Sequence, residues 1–189
     1  GFKSLFLGAI GSVFILIAIA FLYRLTGALN IDQMASLLPT GSPSVLTGAL
    51  AFLLVGLVIE LKVFPLNGPG IDLYEGVSPR VMALVGGTGV NAVLFVFWKL
   101  QVLFDAASWS HIIMIIGAAG FVVSNLLAIR QSDVRRMLGY STSAQLGLIV
   151  FLLPLVRSGT VPAYAPLLLA VNHALSKAGL LWLAGRHGG

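Results

Sequence analysis

Polar positions in this chain fall in bunches between long apolar runs, with no sustained two-residue alternation of the kind a half-buried strand shows. The runs cover about 2–23, 45–61, 81–97, 112–129, 137–153 and 164–184. At 1.5 Å per residue, each is long enough to cross most or all of a hydrocarbon core about 30 Å thick. A backbone in lipid must satisfy its own hydrogen bonds, so runs like these are read as helices. The pattern predicts an all-α integral membrane protein with about six transmembrane helices in this segment.

The punctuation between the runs predicts further elements. Arg24 closes the first span, and the connector that follows holds Gly27, Asn30, Asp32, Pro39, Gly41 and Pro43. Within it, residues 31–38 read as a short interfacial helix capped by Asn30 or Asp32. The second span meets Glu60 and Lys62, then Pro65, which offers no N–H to the Leu61 carbonyl four residues back. Asn67, Gly68, Pro69 and Gly70 make a second interruption, so this span is Pro/Gly-broken. Charged groups beside a broken helix resemble the discontinuous helices that build ion sites. The competing reading is an ordinary span whose charges have reached the interface.

Gly86, Gly87 and Gly89 would let a neighbour approach the third span closely, and Asn91 is its strongly polar interior group. Trp98, Lys99, Asp105 and Trp109 mark the far interface. In the fourth span Gly117 and Gly120 are packing positions, with Ser124 and Asn125 as polar contacts. Asp133 is placed to cap the fifth, whose first turns carry Tyr140, Ser141, Thr142, Ser143 and Gln145. That polar start suits a hydrated path, or packing against a polar neighbour. Pro154, Arg157, Gly159 and Pro162 make the last loop.

Composition fits the pattern. Of 189 residues, 58% are hydrophobic and 9% charged, against about 25% charged in soluble domains. The net charge of +5 comes from basic residues mostly at span ends, where snorkelling explains them without nucleic acid. Lys3, Arg80, Arg130, Arg135, Arg136 and Arg186 fall on one side, and Arg24, Lys99 and Arg157 on the other. This bias puts the termini and the 130–136 loop in the cytoplasm. Lys62, beside the break, is not counted. The absence of cysteine excludes disulfides, cysteine-held iron–sulfur clusters and thiol catalysis in this chain. His111, His173 and His187 are too scattered for a metal site, and Gly86–Gly89 lacks the context of a dinucleotide loop. The start, Gly1-Phe2-Lys3, has no Met, and the end at Gly185–Gly189 directly follows a span, so both ends are expected to be cut from a longer polypeptide.

The strongest chemical candidate lies in the sixth span. His173 and Lys177 are four residues apart, one turn along the same helix face. An ionisable group at the centre of a bilayer costs about 3 kcal/mol or more, so two on one face point to ion or proton movement.

Residues 124–147 carry a long pattern: Gln131, the basic pair Arg135-Arg136, Leu138-Gly139-Tyr140-Ser141 and then Leu146-Gly147. It resembles the proton-antiporter-like membrane subunits shared by respiratory complex I, membrane-bound hydrogenases and Mrp sodium/proton antiporters. Asp72-Leu73-Tyr74-Glu75-Gly76 resembles that family's Asp-x-Tyr-Glu-Gly segment, and Asn172-His173 with Lys177 its later His-and-Lys span. The resemblance implies a segment of a 14-helix, inverted-repeat antiporter-like fold. Residues 1–104 then correspond to the end of the first repeat (spans six to eight) and 105–189 to the start of the second (nine to eleven). The family's span-five glutamate would lie upstream. There are departures. The family's span-seven lysine falls on Glu60, with Lys62 two residues later. Its span-eight lysine falls near Gly89 or Val90, and its Pro-Phe-His is here Pro65-Leu66-Asn67. Residues two apart on a helix point to opposite faces, so Lys62 could replace the lysine only through a local distortion. Gln145 stands where relatives carry His or Gln.

The resemblance implies a proton-translocating membrane subunit, with sodium/proton antiport as a second option, in a complex I-like or hydrogenase-like assembly of the prokaryotic or organellar inner membrane. Its relay would be Lys177, His173, Glu60 and Lys62. Uptake from the cytoplasm would run along Tyr140, Ser141, Thr142, Ser143 and Gln145, and Pro65, Gly68 and Pro69 would form the helix break. No cofactor is expected in this chain, and iron–sulfur, flavin or nickel–iron centres are expected only in partner subunits. Expected partners are other membrane subunits, the lipid bilayer, protons and, under the second option, sodium. The alternatives are an Mrp-type antiporter subunit without a redox partner, a degenerate non-conducting structural subunit and an unrelated six-span transporter.

Overall fold

The computed structural model describes residues 2–38, 44–105 and 109–184. Pro39, Gly41 and Pro43 of the first connector, and Arg186 and His187 of the tail, lie outside the described residues. Helices are α1 (Phe2–Thr26), α2 (Ile31–Leu37), α3 (Ser44–Leu61), α4 (Gly68–Gly76), α5 (Pro79–Leu84), α6 (Val90–Phe104), α7 (Ser110–Ile129), α8 (Val134–Arg157) and α9 (Tyr164–Ala184). Among the described residues there is no strand. Five helices, α1, α3, α7, α8 and α9, are long and apolar enough to cross a membrane. The third expected span is a composite: α5 and α6 are joined by a π-helical segment, Val85–Gly89. A π turn widens the helix and shifts its hydrogen-bond register, which the sequence reading did not anticipate.

Caps set several ends. Asn30, rather than Asp32, caps α2, accepting from the N–H groups of Asp32 at 3.0 Å and Gln33 at 3.1 Å. Asp133 caps α8 through the Arg136 N–H at 2.7 Å, so α8 starts before its apolar run does and carries the polar turn inside the helix. At its other end α8 continues past Pro154 to Arg157.

Two helix pairs pack most intimately, α1 on α3 and α7 on α8. In lipid, apolar burial drives association weakly and close backbone approach decides it. At the α7–α8 crossing a Cβ added to Gly147 would lie 2.6 Å from the Phe121 nitrogen and 2.8 Å from the Gly117 carbonyl oxygen. No side chain fits there. α8 also touches α4, α6 and α9, while α9 leans on α5 and the π segment. The shared core joins Leu50, Leu53 and Leu57 of α3 to Phe97 and Phe104 of α6 and Leu146 and Val150 of α8. Polar contacts mark two rims. Arg157 Nε meets Asp105 Oδ2 at 2.7 Å on one. On the other Arg136 Nη1 lies 3.1 Å from Glu75 and 3.5 Å from Asp72, and Arg80 stands 5.9 Å from the Trp182 ring.

Candidate functional site

α3 stops at Leu61 and Lys62 takes the left-handed backbone conformation, φ 54°, rare for a side chain with a Cβ. The helix thus ends between Glu60 and Lys62. The two side chains part accordingly. Glu60 accepts from the Ser12 hydroxyl of α1 at 2.9 Å. The Lys62 stem lies against α4, where a Cβ on Gly70 would come within 2.9 Å of its Cβ and Cγ. Glu60 remains within electrostatic reach of the Lys62 ammonium. Both line a pocket of about 380 Å³ with Ser4, Ser12, Pro69 and Gly70. Glu60 lies beside Gly11 of α1, where an added Cβ would come 3.3 Å from its Oε1.

Pro65 and Asn67 lie in the link, and Gly68 and Pro69 form the first turn of α4. The 67–70 run therefore opens a half-helix and is not a second interruption. Asn67 leaves the α4 N-terminus uncapped and turns into the bundle, 5% exposed. Its two Nδ2 hydrogens go to Ser124 Oγ of α7 at 3.3 Å and Ser143 Oγ of α8 at 3.2 Å. Ser124 donates to Ser143 at 3.1 Å, and Ser143 to the Lys62 carbonyl at 3.1 Å. The sequence draws attention to the Leu61 carbonyl, but it is the Lys62 carbonyl, turned by the left-handed residue, that Ser143 captures. Every donor in this knot is used once, as buried polar groups require.

The next hydroxyls of α8 point elsewhere. Thr142 Oγ1 accepts from the Tyr74 hydroxyl of α4 at 3.0 Å and donates to the Leu138 carbonyl at 2.9 Å. Ser141 Oγ accepts from Lys177 Nζ of α9 at 2.7 Å. Successive helix residues lie about 100° apart, so three hydroxyls in a row reach three partners. Lys177 is 2% exposed, and no carboxylate among the described residues forms an ion pair with it. One turn away His173, fully buried, places Nδ1 2.5 Å from Gln145 Oε1. A carbonyl oxygen only accepts, so Nδ1 carries a hydrogen toward Gln145. Nε2 is buried without a hydrogen-bond partner among the described residues, although the Gly86 backbone of the π segment lies close enough to act on the ring.

Residues 1–188 match the family described as the transmembrane domain of NADH:quinone oxidoreductase/Mrp antiporter proteins. The chain belongs to that family. It is 34% identical over 190 residues to NADH-quinone oxidoreductase subunit N of Desulforudis audaxviator, with 97% of this chain and 37% of that protein covered. It is 31% identical over 182 residues to subunit N of Chromohalobacter salexigens, covering 95% and 38%. Among solved structures it is similar to the membrane-bound sulfane sulfur reductase, an archaeal respiratory membrane complex, with TM-score 0.85, 29% identity and coverage of 98% and 38%. The Mrp complex of Dietzia shares the fold, with TM-score 0.83 at 23% identity over 95% of this chain and 33% of that one. This antiporter-family chain thus spans under two-fifths of the length of these relatives.

The residues proposed from sequence divide into two groups. Ser141, Gln145, His173 and Lys177 form one site across α8 and α9, whereas Glu60 and Lys62 sit at the α3 break. Tyr140 joins neither and stands beside Arg136, whose guanidinium is 5.9 Å from its ring. Thr142 and Ser143 are buried, Thr142 against Tyr74 and Ser143 against Asn67, Ser124 and the Lys62 carbonyl. Sequence reasoning missed Tyr74, Asn67 and Gly86 as site neighbours and treated Ser124 only as a polar helix contact. Tyr74 lay in a recognised motif. Asn67 stood at the departure from Pro-Phe-His and Ser124 opened the 124–147 pattern, but neither showed which groups it meets.

Proposed function

We propose that this chain is part of a proton-translocating subunit in a complex I-like or hydrogenase-like assembly of a prokaryotic or organellar inner membrane, with Lys177 and His173 as the relay. One observation carries the reading: a lysine 2% exposed in a membrane helix, with a neutral hydroxyl as its described partner. A helix keeps such a group only where it does work, because an unpaired cation there is costly. Nε2 of His173, one turn away, is a ready acceptor for a second proton, and Gln145 fixes the ring's tautomer. A carboxylate or water approaching Lys177 loads it, and withdrawal unloads it. Ser141 is the first hydroxyl on the uptake path from the cytoplasm. The departures at Glu60 and near Gly89 leave this second-repeat site, in the 105–189 portion, as the principal one. Under this reading iron–sulfur, flavin or nickel–iron centres belong to partner subunits.

The test is Lys177→Ala in the full-length subunit within its complex, reconstituted into liposomes. Proton uptake is expected to fall to background while native gels show intact assembly. Unchanged uptake would refute the proposal. It would leave the second reading, a bridging subunit that only holds neighbours together, which Glu60 at the expected lysine position favours. Dependence of uptake on sodium would instead favour the Mrp-type option.

A further inference from the structure

Away from the relay, α6, α8 and α9 enclose an apolar groove of about 280 Å³. Ile149 and Leu153 of α8 form its floor, Phe95 and Trp98 of α6 one wall, and Ala170 and Ala174 of α9 the other. Phe95, Leu167 and Leu175 at its lips are each more than half exposed. For helices this apolar, the medium they open onto is lipid.

The groove exists because α6 and α9 both pack on α8 and barely on each other. It is nevertheless narrow, since Asn91 Nδ2 stands 3.5 Å from the Ala170 carbonyl oxygen across it. A third helix between α6 and α9 would hold their axes about 16–20 Å apart. A single hydrocarbon chain fits where a helix does not, and its methylenes gain dispersion contacts along both walls.

Lys99 gives the groove a charged end. From Asn91 to Trp98 the lining follows α6 for about 10 Å, and Lys99 is the next residue. Helix side chains lean toward the N-terminus. Lys99 accordingly folds back along α6 and brings Nζ to 5.9 Å from the centre of the Phe95 ring. The ammonium therefore stands at a groove wall. No described carboxylate pairs with it, and Asp105, which ends α6, is held by Arg157 at 2.7 Å. Apolar walls with a cation at one end complement an anionic amphiphile.

We propose that this groove is a binding site for an anionic phospholipid such as phosphatidylglycerol. One acyl chain lies between α6 and α9 on the α8 floor, and the headgroup phosphate meets the Lys99 ammonium beside Trp98. The site is independent of the proton relay.

The test uses the full-length subunit in its complex, in nanodiscs of phosphatidylglycerol and phosphatidylcholine at equal mole fraction. One lipid at a time carries a photoreactive diazirine at mid-chain, and labelled residues are mapped by peptide mass spectrometry. Phosphatidylglycerol is expected to label Phe95 and Ala174 about fivefold more than phosphatidylcholine does, the factor one lysine contributes near a membrane surface. Lys99→Gln should make the two lipids equal there, and Ala170→Phe, which fills the groove, should remove the label of both. Equal labelling in the wild type, or a preference that survives Lys99→Gln, is ordinary bilayer contact and overturns the proposal. Label that survives Ala170→Phe overturns the seat of the chain. No label at these residues in the wild type means that another part of the subunit or a neighbouring subunit covers the groove, and this too overturns it. If Ala170→Phe fails to assemble, Lys99→Gln at the exposed end of the groove decides alone.

Discussion

Ser143→Ala isolates what holds the helix break. The substitution removes one oxygen with three bonds: acceptance from Asn67 at 3.2 Å, acceptance from Ser124 at 3.1 Å and donation to the Lys62 carbonyl at 3.1 Å. A buried hydrogen bond contributes about 1 kcal/mol in soluble proteins and averages about 0.6 kcal/mol between membrane helices. Three bonds then give about 2–3 kcal/mol. The upper end is favoured, because Ser143 is 3% exposed. Ser124→Ala removes two bonds, one accepted from Asn67 and one donated to Ser143, so it should cost about 1–2 kcal/mol on the same scale. The two residues share a bond, so the double variant should cost less than the sum of the singles by about 0.5–1 kcal/mol. SDS-induced unfolding of the full-length protein in bicelles, followed by circular dichroism, gives all three values. If Ser143→Ala costs no more than Ser124→Ala, or the pair is strictly additive, the described network does not hold the break.

Three further outcomes follow from the packing. Gly147→Ala should force α7 from α8, because its Cβ would meet backbone at 2.6–2.8 Å. A loss of about 2 kcal/mol or more is expected, while Gly48→Ala, which meets nothing within 4 Å, should be nearly neutral in the same unfolding assay. Asp133→Ala removes the α8 cap and should cost about 1 kcal/mol, with Asp133→Asn largely retaining stability. Arg136→Gln breaks contacts to Asp72 and Glu75 that are a third or more exposed. Its cost should stay below about 1 kcal/mol and shrink as salt rises, and a larger, salt-insensitive loss would contradict a rim contact.

The helices were legible because lipid leaves the backbone no alternative: six apolar runs foretold α1, α3, the α5–α6 column, α7, α8 and α9. Caps at Asn30 and Asp133 were legible too, being set by one side chain and its next three residues. The π segment was not. A shift of hydrogen-bond register over five residues leaves no mark on hydropathy, and Gly86 and Gly89 read equally well as packing positions. Likewise His173 and Lys177 declared themselves by helical spacing, whereas Asn67 meets Ser124 and Ser143 across 57 and 76 residues of chain. Their meeting depends on the α7–α8 crossing, which two glycines fix in space and not in pattern.

Lys62 shows where sequence spacing misleads. Two residues apart on an unbroken helix, Glu60 and Lys62 would face opposite ways and one would be stranded in an apolar wall. The helix instead ends between them, and the left-handed turn at Lys62 costs on the order of 1 kcal/mol against ordinary helical backbone. The same turn exposes the Lys62 carbonyl, and the Ser143 bond that captures it contributes a similar amount. Strain and capture therefore roughly cancel, and the lysine leaves the helix at little net cost. A sequence in which Pro65 ends the helix and a serine waits on α8 can move a charge off the helix register without losing stability. This is a physical reason why two charges set two residues apart need not strand either one in an apolar wall.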